Sequence, residues 1–239
     1  MDKRAQEALS DDVYKEEMTA LQSAIIYKLS DELYALRERM LYLMNNLLGM
    51  RDIESGEHVK RVQSLTGILA RYMTRICPEY QMDEESIRLI TDASALHDVG
   101  KIAIPDAILL KPGRLTKEEY RVMQTHTTKG SEMIRMMANI GQEEYGKISY
   151  DICRYHHERY DGGGYPEGLK GDEIPVAAQI VSVADVYDAL TSERCYKRAY
   201  TTDEAYRMIV KGECGIFSPK LIECLKLAGA ELAELVKES

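Results

Sequence analysis

Five histidines, each beside or in register with a carboxylate, a lysine or a second histidine, constrain the fold of this 239-residue chain more than any other feature. Histidines placed only for packing would not form such a series. Imidazole and carboxylate together are ligands of Zn, Fe or Mn. A metal-dependent hydrolase is therefore the leading hypothesis, and the fold must gather these side chains in one pocket. The histidines are His58, His97, His126, His156 and His157.

Composition and capping motifs predict an all-α fold. Ala, Leu, Glu, Lys and Met dominate, turn clusters are few, and residues 102–108 are a weak candidate for a strand. Asp83 is placed to cap one helix. Thr116 begins a capping box that opens a helix through His126, and a second such box begins at Thr201.

Charge and cysteine content exclude several classes of protein. The net charge of −9 has the wrong sign for a general duplex-binding protein, although metal ions could supply positive charge to a small phosphate ester. The five cysteines include no Cys-x-x-Cys pair, which argues against a disulfide scaffold or a thiolate zinc site. An acidic N-terminal region and the lack of long apolar runs argue against a signal peptide or a membrane span, so a cytoplasmic protein is expected.

Residues 1–50 form a predicted helical arm, and residues 51–239 form a predicted multi-helix domain. Apolar residues in the arm recur at alternating spacings of three and four, the heptad pattern of a coiled coil, which allows a homodimer. Alternatively the arm lies on the domain's own core, because additional leucine and methionine residues widen the stripe in its second half. The seam consists of Ile26, Leu29, Leu33, Leu36, Met40, Leu43, Leu47 and Met50.

His97-Asp98 is the sharpest of the candidate ligand pairs. Ile90, Ala93 and His97 share one helical stripe, which directs the histidine inward at the end of a helix. A buried aspartate needs a cationic partner, so Asp98 either binds metal or forms an ordinary ion pair with Lys101. The four other histidines favour metal ligation.

The remaining candidates are weaker when each is taken alone. Glu54 and His58 lie four apart and can reach one ion from one helical face, although a surface acid beside a helical histidine is the simpler interpretation of this pair. His126 lies on an apolar face, where a single histidine is more often a core residue. Asp185 lies within an apolar run and must be paired or bind metal.

The candidate ligands are too many for one ion. A tetrahedral zinc takes three or four protein ligands, so this set suits two ions, or three if waters complete the shells. Nitrogen and oxygen without sulfur fit Fe or Mn at least as well as Zn. Two ions roughly 3.5–4 Å apart would hold a bridging hydroxide and clamp phosphate oxygens. The candidates are Glu54, His58, His97, Asp98, His126, His156, His157 and Asp185.

Several linked motifs follow one another between Met50 and Leu225. They are Arg51-Asp52-x-Glu54-Ser55-Gly56-x-His58-x-x-Arg61, His97-Asp98-Val99-Gly100-Lys101, His126, His156-His157-Glu158-Arg159-x-Asp161-Gly162-x-Gly164-Tyr165-Pro166, and Ala184-Asp185-Val186-Tyr187-Asp188. This series resembles the HD-GYP family, a branch of the HD metal-dependent phosphohydrolases. The resemblance implies an all-helical phosphodiesterase that hydrolyses cyclic di-GMP to the linear dinucleotide or GMP, or else hybrid cyclic GMP-AMP.

The resemblance also implies roles for individual residues. All eight candidates become metal ligands, with Asp98 bridging two ions and Glu54 helping to hold a third. A hydroxide between the ions attacks phosphorus, and Asp98 is thereby part of the catalytic machinery. Lys101 resembles the lysine that contacts the scissile phosphate and helps to protonate the leaving oxygen.

The expected substrate contacts come from a further group of residues. Asp188, Arg194 and Lys197 resemble the side chains that grip guanine and phosphate, and the two cations are three apart, which suits one helical face. Tyr165 is placed to pack near the dinucleotide, although a rigid turn without ligand contact is an equally good interpretation. Tyr160 stands where the family often has tryptophan, a mild departure.

A binding module that senses a cyclic dinucleotide and signals through the arm is a rival from another class. Family members used in that way tend to lack some metal ligands, and none is missing here. The expected partners are therefore a cyclic dinucleotide substrate and, through the arm, a second copy of the chain.

Overall fold

The computed structural model describes residues 15, 18–33, 35, 36, 39, 43, 56–137, 143–193 and 198–238. The chain divides into two compact units, Met1–Leu43 and Met44–Ser239. The predicted boundary between residues 50 and 51 falls outside the described residues and stays a prediction.

The first unit is helical over residues 18–33. Five seam residues of the heptad pattern are described, and all five are exposed: Ile26, Leu29, Leu33, Leu36 and Leu43. Met40, Leu47 and Met50 lie outside the described residues. The coiled coil and the dimer therefore stay predictions.

The second unit is built from helices, with a long loop between Tyr155 and Val176, which confirms the predicted all-α fold. Its helices are α1 (Gly56–Ile76), α2 (Glu84–Ser94), α3 (Asp106–Leu109), α4 (Lys117–Gln124), α5 (His126–Met137), α6 (Glu143–Tyr155), α7 (Val176–Thr191), α8 (Thr202–Val210), α9 (Pro219–Leu227) and α10 (Gly229–Glu238). Within the described ranges no β-strand forms, and none of the helices is long and apolar enough to cross a membrane. The weak strand candidate at residues 102–108 is wrong, since a 3₁₀ turn at Val99–Ala103 and helix α3 occupy that stretch.

The predicted capping residues begin the helices at which they stand. Asp83 accepts a hydrogen bond from the Ser86 amide at 2.8 Å and starts α2. Thr116 and Glu119 exchange the two hydrogen bonds of a capping box at the start of α4, and Thr201 forms the second box before α8. The helix after Thr116 ends earlier than predicted, because α4 stops at Gln124 and His126 opens α5.

Helices α1 and α7 form the centre of the core. Helix α1 packs against α2, α7, α9 and α10, and its Leu65, Leu69 and Met73 are almost completely buried. Helix α7 is buried on nearly all sides, with Ile180 and Val181 fully enclosed. An acid in the middle of α7 is therefore held in a rigid, mostly apolar setting.

The 3₁₀ turn after His97-Asp98 lies directly against the first turns of α5, and two glycines permit this approach. A Cβ added to Gly100 would lie 1.8 Å from the His126 carbonyl oxygen and 2.6 Å from the Gly130 amide nitrogen. A Cβ added to Gly130 would lie 2.7 Å from the Gly100 amide nitrogen. Backbone contact at this point holds His126 next to Asp98.

We expect Gly100→Ala to lower the free energy of unfolding by roughly 3 kcal/mol, because the added methyl group must displace main chain rather than a flexible side chain. Chemical denaturation measures this loss. Gly229→Ala is the matched control, since a Cβ there meets nothing within 4 Å, and it should cost nothing. Equal stability of the two variants would show that the close approach is unimportant.

Candidate metal centre

Seven of the eight predicted ligands converge in the structure. The first group contains Asp98, His126, His156 and His157, and the second contains His58, His97 and Asp185. Within each group one ligand atom from every residue lies within 4.8 Å of the others. Glu54 falls outside the described residues, so its role stays a prediction.

The ligands come from helix termini and from the centre of one helix. His58 lies in the first described turn of α1, and Asp185 lies midway along α7. His97 follows the end of α2, His126 follows the end of α4, and His156 follows the end of α6. The chain thus reaches the centre mainly where its helices end.

Asp98 connects the two groups. Its Oδ1 lies 3.1 Å from His126 Nε2 and 3.7 Å from His156 Nε2, whereas its Oδ2 lies 3.2 Å from His97 Nε2. The Lys101 Nζ is 2.9 Å from the same Oδ2. The ion pair proposed as the simple alternative therefore exists, and it exists within the histidine cluster.

The charges around Asp98 keep it ionised. Burial opposes ionisation, but Lys101 and His97 lower the pKa of Asp98 well below its usual range. In the metal-free chain, burial likewise opposes a charge on His97, while the Asp98 carboxylate raises the pKa of that histidine to about 9. Burial lowers the pKa of both His156 and His157, which keeps these two imidazoles neutral and able to donate a lone pair to a cation.

Hydrogen bonds fix the orientation of four imidazole rings through Nδ1. His97 Nδ1 donates to the Ser94 carbonyl oxygen at 2.8 Å, and His126 Nδ1 donates to the Met123 carbonyl oxygen at 2.8 Å. The remaining two bonds run from His156 Nδ1 to the carbonyl oxygens of Ile152 and Cys153, and from His58 Nδ1 to Asp188 Oδ2.

Because Nδ1 keeps its proton in these bonds, Nε2 is the atom of each ring that can bind a cation. On His97, which Asp98 holds protonated in the metal-free chain, a bound cation would replace the proton on Nε2. An outer hydrogen bond of this kind is the usual companion of a metal-bound imidazole. The donor set, carboxylate oxygens and oriented imidazole nitrogens, therefore fits divalent metal ions.

Glu158 anchors the loop that follows the histidine pair, a role that was not predicted from the sequence. Its carboxylate is almost fully buried and accepts hydrogen bonds from the amides of Glu167, Gly168 and Leu169 at 2.7–3.1 Å. Gly164 lies so close to the preceding chain that a Cβ would stand 2.4 Å from the Arg159 amide nitrogen. An acid directly after two histidines could have drawn attention to Glu158 in the sequence. Its hydrogen-bond partners could not be predicted, because they lie nine to eleven residues further along the chain.

The anchored loop places Tyr165 beside the ligands. Its ring stacks on His157 with centroids 4.8 Å apart and an angle of 28°. Tyr120 from α4 stands edge-on to Tyr165 at 6.5 Å and keeps 49% of its surface exposed. The two tyrosines form an aromatic wall at the edge of the centre, and Tyr120 was not predicted from the sequence.

The predicted substrate-contacting residues divide into two sets. Arg194 and Lys197 lie outside the described residues, so their roles stay predictions. Asp188 is buried, only 1% exposed, and faces His58 and Arg61. Although burial opposes ionisation, the hydrogen bonds from His58 and Arg61 lower the pKa of Asp188.

A family model described as the HD domain matches residues 42–220 of the chain. The protein belongs to the HD domain family. The HD-GYP resemblance seen in the sequence is confirmed by its relatives. A cyclic di-GMP phosphodiesterase from Vibrio cholerae serotype O1 is 38% identical over 196 residues, which are 81% of this chain and 40% of that protein.

Other phosphodiesterases of Vibrio cholerae are also similar. The 3′3′-cGAMP-specific phosphodiesterase 2 is 38% identical over 188 residues, which are 79% of this chain and 34% of the relative. The crystal structure of a cyclic GMP-AMP specific phosphodiesterase, V-cGAP3, matches with a TM-score of 0.56 at 17% identity, covering 84% of this chain and 52% of that one. That likeness establishes the shared fold. The chain spans less than half the length of either sequence relative.

Proposed function

We propose that this protein is a metal-dependent phosphodiesterase that hydrolyses cyclic di-GMP to the linear dinucleotide, GMP or both. The position of Asp98 carries the proposal. Its two oxygens face different histidines at 3.1–3.2 Å, so one carboxylate can serve two ions at once. Such a pair of ions suits in-line displacement at phosphorus.

In hydrolysis, the residues of the centre would hold the ions, contact the phosphate and supply a proton. Divalent ions, when bound, supply Lewis acidity that activates water and neutralises phosphate oxygens. Water oxygen forms the new bond to phosphorus and gives up a proton to the solvent, the ester P–O bond breaks, and the leaving oxygen takes a proton. Lys101 is the candidate proton donor and phosphate contact, because its ammonium group lies 2.9 Å from Asp98 within the centre.

The cofactors in this proposal are two or three ions of Fe or Mn. Imidazole nitrogen and carboxylate oxygen without thiolate are the donors these metals accept. Seven described ligands in two groups suit two ions. A third ion depends on Glu54, and the sequence resemblance alone supports it.

The aromatic wall supports a nucleotide as the substrate. Bases stack on tyrosine rings with little dependence on sequence, and Tyr120 presents an exposed ring beside Tyr165. Arg194 and Lys197 remain the proposed cationic contacts, by resemblance. Hybrid cyclic GMP-AMP is the second candidate substrate, because three relatives carry that specificity in their names. A cytoplasmic location and the lack of duplex binding stay predictions from the sequence.

We expect protein loaded anaerobically with Fe(II) or Mn(II) to convert cyclic di-GMP to linear product, and chelator-treated protein to convert none. His97→Ala and Asp98→Ala should lose metal and reduce turnover by more than about 100-fold, because each removes a direct ligand. Metal analysis and chromatography of products are the measurements. Asp203→Ala, an exposed acid on α8, is the control and should behave as wild type.

Three results would change the assignment. Full turnover by a metal-loaded Asp98→Ala variant would remove the proposed centre. Faster hydrolysis of cyclic GMP-AMP at equal concentration would favour the second substrate. Tight binding of cyclic di-GMP by metal-replete protein without turnover would identify a sensing module.

We expect Tyr120→Ala to raise KM roughly tenfold with little change in kcat, because a lost stacking contact weakens substrate binding. Tyr120→Phe should keep the wild-type KM, since the ring face is retained. Tyr27→Ala, an exposed tyrosine of the arm, serves as the control. An unchanged KM for Tyr120→Ala would exclude the wall from substrate binding.

We further propose that the arm pairs with the arm of a second copy. The seam recurs at heptad spacing, and its described members are exposed. Light scattering at micromolar concentration should give a dimer, and a double variant with Leu29→Glu and Leu33→Glu should give a monomer. Lys28→Glu alters charge outside the seam and should remain dimeric. A monomeric wild-type protein would overturn this proposal.

A further inference from the structure

Helices α1 and α7 meet through two pairs of polar residues, each pair three apart on its own helix. His58 and Arg61 extend from α1, and Asp185 and Asp188 extend from α7. Residues three apart share a helical face, so the two pairs face each other. His58 Nε2 lies 3.7 Å from Asp185 Oδ1, and His58 Nδ1 lies 2.7 Å from Asp188 Oδ2. One ring thus contacts both aspartates through opposite nitrogens.

The carboxylate of Asp188 has little acceptor capacity left. Its Oδ1 accepts from Arg61 Nε at 2.5 Å and from Ser192 Oγ at 3.2 Å. Its Oδ2 accepts from His58 Nδ1 at 2.7 Å and from Arg61 Nη2 at 3.2 Å. A carboxylate offers about four lone-pair sites, and these contacts occupy all of them. The side chain is also buried, which leaves no face for a guanine.

Asp188 accepts a hydrogen bond from His58 Nδ1, as main-chain carbonyl oxygens do from the Nδ1 atoms of three other histidines. The Nδ1 atoms of His97, His126 and His156 donate to carbonyl oxygens three or four residues earlier in the chain. His58 takes its acceptor from a different helix instead. Among these four oriented rings, His58 alone depends on a side chain that mutation can remove.

We propose that Asp188 is a positioning residue that fixes the tautomer and direction of His58 for metal binding, with Arg61 holding the carboxylate in place. The inference rests on the proposed metal centre, and it gives Asp188 a role different from the substrate contact implied by the resemblance. It also assigns Arg61 a function. An acceptor of this kind raises the basicity of a ligating imidazole.

The test uses Asp188→Asn, which keeps the shape of the side chain and replaces one acceptor oxygen with an NH2 group. Arg61 needs the remaining oxygen as its acceptor, so the NH2 group faces His58 Nδ1. Long-range ¹H–¹⁵N spectra of the metal-free protein should show His58 protonated at Nδ1 in wild type and a shift toward the Nε2-protonated tautomer in the variant. Metal affinity at the group formed by His58, His97 and Asp185 should fall about 10–100-fold. After dialysis the variant should therefore retain fewer ions than wild type.

Two further variants make the experiment decisive. Ser192→Ala removes one hydrogen bond to Asp188 without touching His58, and it should leave the tautomer and metal content unchanged. If Asp188→Asn alone fails to fold because Arg61 loses its partner, a double variant with Asp188→Leu and Arg61→Gln removes both charges and the acceptor for His58, and it carries the same measurements.

Contrary results are clear. A raised KM with wild-type metal content and an unchanged His58 tautomer would overturn the inference and restore Asp188 as a substrate contact. The His58 tautomer and the metal content are both measured without substrate. These two measurements therefore stay valid if the protein proves to hydrolyse a different phosphate ester. Failure of the proposed function would appear separately, in the assay of cyclic di-GMP products.

Discussion

The fold depends on the energetic cost of burying many ionisable groups in one place. A buried imidazole or carboxylate is costly unless each polar atom has a partner. Here Asp98 faces three histidines and a lysine, and four rings are fixed through Nδ1. The close approach of Gly100 to Gly130 follows from this requirement, because a wider gap between the turn and α5 would separate His126 from Asp98.

The ends of helices supply hydrogen-bond acceptors for most of the buried histidines. The last carbonyl groups of a helix lack partners within that helix, and a histidine placed just beyond it can donate Nδ1–H to one of them. His97, His126 and His156 follow the ends of α2, α4 and α6 and bond back in this way. The C-termini of α2 and α6 carry partial negative charge, which favours a cation. His58 lies in the first described turn of its helix and takes its partner from α7.

The sequence predicted features whose cause is local and missed those that need distant partners. Capping residues and apolar periodicity predicted the helical fold, and inward-facing histidines with Asp98 and Asp185 predicted which side chains meet. The contacts of Glu158, the edge-on ring of Tyr120 and the saturated carboxylate of Asp188 depend on residues from other elements. The strand candidate at residues 102–108 failed for a related reason, since the turn after His97-Asp98 packs on α5 and overrides weak strand propensity.

The same electrostatics explain why an acidic protein can serve an anionic substrate. The chain carries a net charge of −9, and at the centre Lys101 and protonated His97 only offset the negative charges of Asp98 and Asp185. Without further cations such a site offers a phosphate diester no net attraction. Bound divalent ions would make the centre positive, and the aspartates that offset its positive charge in the metal-free chain are the ones that would retain the metals. Metal dependence is therefore a property of this charge arrangement as well as of the chemistry at phosphorus.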